Sequence, residues 1–330
     1  MRLSLRVALV IAATAAASCD SCDRKKPGTA LPELPVPPDP PDVACGEPKL
    51  TPITSVHEHV LDAEHIPVLL ETAKGLGVEK VNLLPFWNDQ VYEQNEAQIA
   101  AMKAQPDRVS AFVSVDAMDD EAVARLEKLA AAGAKGVKLY SGYRRTYEPG
   151  ELTGPNAHRI YGFLEEKGLP LLMHTNGFYF EKELREVLSA HPKLVLLCPH
   201  YCLLSGKPGR LHALLEDHPN LYTDVSFGSF NVLYDGVSRI SKDPEGLRRV
   251  IRTHRHRVAF GMDNVVGKTS TKESLLITSR TYRDMLEKET YRFFHDGKEW
   301  RGLHLDPCTL ESIYRVNPER FLAGKPPLTD

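Results

Sequence analysis

Five residues scattered along this chain have the types that can hold one divalent cation: His57, His59, His174, His200 and Asp263. Imidazole nitrogens with a carboxylate suit one Zn²⁺, with Mn²⁺ or Fe²⁺ as alternatives. Such an ion lowers the pKa of bound water to roughly 7 and makes hydroxide available at neutral pH. The spacing of the first pair has a physical reason. Residues i and i+2 of a strand share a face, so His57 and His59 in VHEH can aim at the same point. Taken singly, each residue has a plainer explanation. An HxH can be a polar turn, and His174 or His200 can be a satisfied core histidine. The case rests on where all five fall.

That depends on the elements that carry them. From Thr51 onward, short apolar runs alternate with amphipathic segments. The runs ITSV (53–56), VEKVNLL (78–84), VSAFVSV (109–115), KGVKLY (135–140), LPLLMH (169–174), LVLLCP (194–199), NLYTDVS (220–226) and RVAFGM (257–262) read as eight strands. Helical patterns lie between them, at Glu64–Lys74, Asn95–Lys103, Asp119–Ala132, Asn156–Lys167 and Glu181–Ala190. Gly75, Gly133 and Gly168 stand where helices should end. Eightfold strand–helix alternation predicts an α/β chain folded as a (β/α)8 TIM barrel. An open doubly wound sheet is the alternative, weakened because no GxGxxG turn follows the first strand. In a barrel, function gathers at the C-terminal ends of strands. There stand VHEH on strand 1, MHT on strand 5, CPH on strand 6 and GMD on strand 8. The long segment Asn264–Glu311 reads as a helical insertion after strand 8 that caps or flanks the mouth.

The five positions, in register with eight strands, resemble the amidohydrolase superfamily. The ordered run NEAQIAAMKAQPDRVSAFVSVD, GAKGVKLY, LPLLMHTN, PKLVLLCPHYC, HPNLYTDVSF, VAFGMDN and IYRVNPERFL resembles its amidohydrolase-related branch over about residues 51–323. That branch includes aminocarboxymuconate-semialdehyde decarboxylase, aromatic-acid decarboxylases and lactone hydrolases. The resemblance implies that His57, His59, His174 and Asp263 bind the metal. It implies that His200 polarises a substrate carbonyl and that Asp263 also carries a proton. The family's strand-1 pattern is Asp-x-His-x-His, and Ser55 replaces the first acid here. Some superfamily members carbamylate a strand-4 lysine to bridge two metals. Lys138 would do so here if a second metal is bound, and otherwise would contact substrate or an internal acid.

Other residues near the expected mouth carry weaker signals. Arg144, with Arg145, could clamp a carboxylate or be a solvated loop charge. Trp87 and Tyr140 could line a pocket or simply pack. Asp224 on strand 7 could bond at the rim or merely anchor the strand, and reads as an anchor. His254 and His256 precede strand 8 and read as surface residues at the barrel bottom.

The 330 residues carry 41 basic and 44 acidic groups without a long basic stripe, so nucleic acid is not an expected partner. Arg2 and Arg6 precede an apolar stretch, Val7–Ala17, too short to span a bilayer but suited to a signal peptide. Ala16-Ala17-Ser18-Cys19 resembles a bacterial lipobox. The expected organisation is a lipoprotein signal peptide over 1–18, a proline-rich tether over 19–46, and the barrel over 47–330. Export with a lipid on Cys19 would place the domain at a bacterial membrane, on the periplasmic or outer face. Export also permits disulfides among Cys22, Cys45, Cys198, Cys202 and Cys308, with at least one left over. The expected activity is hydrolysis of a small amide, ester or lactone by metal-activated water. The alternatives are non-oxidative decarboxylation of a small unsaturated or aromatic acid, and a tethered binding protein without chemistry. A homodimer is compatible with the reading.

Overall fold

The computed structural model describes residues 31–42, 45–143, 148, 150–228, 230–292 and 297–329. The signal segment, Cys19, Cys22 and Arg144 lie outside the described residues.

All eight expected strands form: β1 Ile53–Val60, β2 Val78–Leu84, β3 Val109–Ser114, β4 Gly136–Leu139, β5 Leu171–Met173, β6 Leu196–Cys198, β7 Leu221–Asp224 and β8 Val258–Ala259. A further short strand, β9 Asn264–Val266, follows at once. Together they make one parallel α/β sheet in the order β8-β7-β6-β5-β4-β3-β2-β1-β9. Its two edge strands are neighbours in the chain, joined by Phe260–Asp263. β8 pairs with β7, whereas β9 pairs with β1 through Glu58–Asn264, His59–Val265 and Val60–Val266. Between them, the Val56 N–H donates to Phe260 O (2.9 Å) and the Asp263 N–H to His57 O (2.7 Å). The expected strand 257–262 is therefore split. Its centre leaves strand geometry at Gly261-Met262-Asp263, where Asp263 takes a left-handed φ of 49°.

Helices intervene: α1 Ile66–Lys74, α2 Val91–Ala104, α3 Ala122–Ala131, α4 Pro155–Lys167, α5 Gly177–Ala190, α6 Pro208–Asp217, α7 Phe230–Lys242 and α8 Pro244–Thr253. Proline opens α4, α6 and α8, where a missing N–H costs nothing. Gly168 ends α4 in the left-handed conformation (φ 63°), as expected of a C-terminal cap. Gly75 also caps, but stays right-handed. Apolar helix faces and the outer strand faces form the larger core. A smaller inner core holds Val56, Leu84, Phe112, Leu172, Leu197, Tyr222 and Phe321. Phe321, on the last helix α11 (Asn317–Leu322), packs against Phe112 and Tyr222 at 5.7 and 5.6 Å between ring centroids. Gly136 makes room for this layer: a Cβ there would lie 2.5 Å from the Phe112 ring.

The segment after β9 is not wholly helical. It contains α9 Lys272–Glu287, an antiparallel hairpin of β10 Thr290–Arg292 and β11 Glu299–Arg301, then α10 Pro307–Glu311 and α11 Asn317–Leu322. The expected helical insertion is interrupted after Glu287, where Tyr291 pairs with Trp300 across the hairpin. α9 packs beside the C-terminal end of β7. Its Tyr282 hydroxyl accepts the N–H groups of Phe227 and Gly228, just beyond β7.

The proline-rich segment is less free than a spacer. Pro37 is buried, and Val36 packs against the core. Leu34 crosses the first turn of α6 so closely that a Cβ on Gly209 would overlap its carbonyl oxygen. Glu33 pairs with Lys207 (3.0 Å), and Asp39 and Asp42 pair with Arg252 of α8. A disulfide joins Cys45 to Cys308, leaving Cys198 and Cys202 as buried thiols. Among the described residues no helix is long and apolar enough to cross a membrane.

Candidate active site

β1 carries the first two site residues on a distorted stretch. Its register against β2 slips by one residue between Ser55 and Glu58. Such a bulge re-aims side chains. Here Val56 joins the inner core while its neighbour His57 faces the site. His57, His59 and Asp263 then meet. Asp263 Oδ1 lies 3.2 Å from His57 Nε2 and 3.3 Å from His59 Nε2, and the two Nε2 atoms are 3.2 Å apart.

The proton inventory of this cluster decides what it can hold. His57 Nδ1 faces the Asp224 carboxylate at 2.8 Å, and His59 Nδ1 faces the carbonyl oxygen of Leu84 at 2.9 Å. Both partners only accept, so both Nδ1 atoms carry the proton. A neutral imidazole has one proton, and both Nε2 atoms are therefore bare. His200 follows the same rule. Its Nδ1 faces the carbonyl oxygen of Ser226 at 3.0 Å, and its Nε2 points at Asp263 Oδ2, 3.7 Å away. Three lone pairs and a carboxylate converge with no hydrogen between them. A divalent cation satisfies that arrangement, so the residues fit the metal implied by the sequence.

Asp224 does more than anchor β7. Its Oδ2 holds His57, and its Oδ1 accepts the N–H of His200 (2.9 Å), the N–H of Ser226 (3.0 Å) and the Ser226 hydroxyl (2.7 Å). It orients two imidazoles at once. It also helps to fix the backbone of His200, where four consecutive non-glycine residues, His200 to Leu203, have φ between 51° and 61°. Backbone of that kind costs about 1–3 kcal/mol per residue and persists only where the surroundings impose it.

Electrostatics follow from burial. Burial pushes His57 down to about 4 against the pull of Asp263, so the ring is neutral. Burial also lowers His174 well below the usual imidazole range, with His200 adding to the effect. Burial alone would raise Asp224. The N–H groups of His57 and His200 that face it outweigh burial and hold it at about 2. Lys138, fully buried on β4, is pushed down to about 8 by burial, partly offset by Asp263 and Asp224.

The amidohydrolase family model matches residues 73–323. The chain belongs to the amidohydrolase family. It is an enzyme of the amidohydrolase superfamily. The match begins inside α1, so the HxH of β1 joins the site through the geometry above. Solved structures with the same overall fold include 2,6-dihydroxybenzoate decarboxylase from Rhizobium, 14% identical with a TM-score of 0.56 over 82% of this chain and 98% of that one. Another is 5-carboxyvanillate decarboxylase from Sphingomonas paucimobilis, 12% identical, TM-score 0.53, over 83% and 99%. A third is 4-oxalomesaconate hydratase from Rhodopseudomonas palustris, 14% identical, TM-score 0.52, over 82% and 96%. At these identities the likeness is one of fold. No curated protein sequence matches the chain.

In this amidohydrolase the other expected residues divide. His174 is near the cluster without belonging to its tightest group. Its ring packs against His200 (centroids 5.0 Å apart) and Tyr143 (4.9 Å). Lys138 places its ammonium over the Tyr140 ring, 4.6 Å from the centroid. Tyr140 donates its hydroxyl to Pro85 O (2.9 Å) and turns its ring toward His59. Trp87 is 38% exposed and sits 6.3 Å from Tyr140, at the rim. Phe86, unremarked in the sequence, packs edge-on to His59 at 5.6 Å. Between the two site histidines stands Glu58, which sequence reasoning passed over. It is fully buried, takes the Ser55 hydroxyl on one oxygen, and takes the Asn264 side-chain amide (2.9 Å) and backbone N–H (3.3 Å) on the other. The signal was available: an acid between two inward histidines must face the apolar helix layer, which is an anomaly. Ser226 gave no such signal.

Proposed function

We propose that this amidohydrolase is a metal-dependent carbon–carbon lyase that removes CO₂ from a small aromatic or conjugated acid. The observation that carries the reading is the group of bare Nε2 atoms and Asp263 beneath aromatic faces. Phe86, Trp87, Tyr140 and Tyr143 surround the approach to His59 and His174. Flat faces of this kind suit a planar, conjugated substrate. The decarboxylases among the structural neighbours support the same class of reaction. They weigh more than export, which by itself pointed to hydrolysis.

We read the split strand as the eighth stave of a closed (β/α)8 barrel, with β8 and β9 as its two halves. His57, His59, His174 and Asp263 would hold one divalent ion, taken as Zn²⁺. When bound, the ion supplies positive charge that polarises a substrate oxygen and stabilises negative charge. The chain's own residues do the rest. Lys138 adds a buried cation that attracts the substrate carboxylate. His200, with its Nε2 bare, stands ready to accept a proton from a substrate hydroxyl. When the bond to the carboxyl carbon breaks, its electron pair stays on the substrate carbon, which takes one proton. Asp263, ionised and facing His200, is the group placed to relay that proton.

The deciding experiment offers purified, zinc-loaded protein hydroxylated benzoates, conjugated diacids, lactones, esters and amides, and follows CO₂ and acid release in parallel. Release of CO₂ with formation of the decarboxylated product is expected. Acid release from a lactone, ester or amide without CO₂ from any acid would replace the reading with hydrolysis. The lipid anchor on Cys19, with export to the periplasmic or outer face, remains part of the proposal on the strength of the lipobox-like sequence.

A further inference from the structure

The sequence contains a second HxH, His254 and His256, that the central cluster does not use. It reads as a surface feature, yet His254 is 5% exposed. It caps the C-terminal end of α8 and faces α6. On α6, His212 and Glu216 are four residues apart and share a face. His212 Nδ1 lies 2.9 Å from His254 Nε2, and Glu216 Oε2 lies 4.0 Å from the same nitrogen. The three donor atoms lie within 4.8 Å of one another.

We propose that His212, Glu216 and His254 form a second divalent-cation site, which takes Zn²⁺ and fastens α6 to the end of α8. The convergence of three donor atoms within 4.8 Å, one of them on a buried imidazole, carries the inference. The two imidazoles can share one hydrogen bond at 2.9 Å, and Glu216 Oε2, at 4.0 Å, stands outside hydrogen-bond reach of the same nitrogen. An ion between the three donors serves all of them. A second histidine pair in the same molecule shows the contrast. There Glu165 meets His191 at Nδ1 (2.9 Å) while His158 meets it at Nε2 (2.9 Å), an ordered relay in which each nitrogen has its own partner. Ligand atoms about 2.0–2.2 Å from a tetrahedral zinc stand roughly 3.3–3.6 Å apart. Small rotations of His212 and of the exposed Glu216 side chain bring 2.9 and 4.0 Å into that range. Glu216 is open to water, which leaves room for a fourth ligand.

The site is remote from the central cluster. α8 leads into the start of β8, and α6 into the start of β7, so both helix ends lie at the face opposite the strand C-termini. The same two helices carry the contacts of the proline-rich segment, through Arg252 and the residue before α6, Lys207. A zinc there would brace that part of the outer layer.

The test uses zinc itself on full-length protein stripped by chelator, reloaded and dialysed. Wild-type protein is expected to retain two zinc ions per chain. His212→Ala and Glu216→Ala should each retain one and keep wild-type turnover. His57→Ala/His59→Ala should also retain one, lost when His212→Ala is added, and zinc should raise its melting temperature only while His212 is present. If the His57/His59 variant fails to fold, the comparison of wild type with His212→Gln decides alone. Equal zinc content in wild type and the His212 variants overturns the proposal, as does a His57/His59 variant that takes up none. Neither result touches the reading of the central cluster.

Discussion

Asp224 faces His57 Nδ1 at 2.8 Å and, through its other oxygen, takes the backbone N–H of His200 at 2.9 Å. One carboxylate thus sets the tautomer of one imidazole and the position of another. With Ser55 on β1 in place of an acid, the carboxylate that orients His57 comes from the end of β7.

Asp224→Asn is expected to lower zinc affinity about 10–100-fold. Either orientation of the amide turns its NH₂ toward a donor: the His57 ring N–H on one side, or the His200 and Ser226 N–H groups on the other. A chelator competition titration measures this, and affinity within twofold of wild type would remove Asp224 from its orienting role.

Asp263→Asn should leave the far-ultraviolet circular dichroism unchanged while lowering kcat by roughly 10²–10⁴. The residue is largely buried among imidazoles and holds no part of the apolar core. Retention of near-normal kcat would exclude it as the proton relay.

Glu58 gives a pH dependence of defined sign. Burial pushes its carboxyl up to about 8 from an ordinary 4.5. Between those values the folded chain holds a proton that the unfolded chain releases, so stability falls as pH rises across that window, by at most about 1.4 kcal/mol per pH unit. Glu58→Gln keeps the acceptor for Asn264 and removes the charge. Its melting temperature should match wild type near pH 5 and exceed it near pH 8. A gap that does not widen with pH would mean that Glu58 is not protonated in the folded state.

The disulfide between Cys45 and Cys308 closes a span of 263 residues. Cys45→Ser, or reduction, should cost about 2–5 kcal/mol. Deleting residues 1–44 should leave zinc content intact, because no central ligand is lost, but should lower the melting temperature through loss of the Arg252 pairs and the burial of Pro37. Calorimetry with and without reductant checks both, and unchanged melting in each would mean that the segment is only a spacer.

Cys19→Ser should move the protein from the membrane to the soluble fraction of expressing cells, because acyl chains on that thiol would supply its hold on the bilayer. Fractionation with immunodetection reads this out. Unaltered membrane recovery would end the lipid-anchor proposal.

The sequence by itself determined the strands, the alternation and the residue types of the site. Apolar runs and helix caps are local signals, and His57 and His59 share a face because a strand repeats every two residues. It also singled out Lys138, which the structure buries beside the cluster. The tertiary structure alone decided the rest. The bulge between Ser55 and Glu58, the break at Gly261-Met262-Asp263 and the left-handed run from His200 have no local signature, since they are imposed by neighbours distant in the chain. The tautomers that bare three Nε2 atoms depend on Asp224, Leu84 and Ser226, brought up from other strands. His254 became buried for the same reason, because α6 lies across it. Spacing along a chain fixes which residues can share a face; which donor meets which acceptor is settled only when separate faces close on each other.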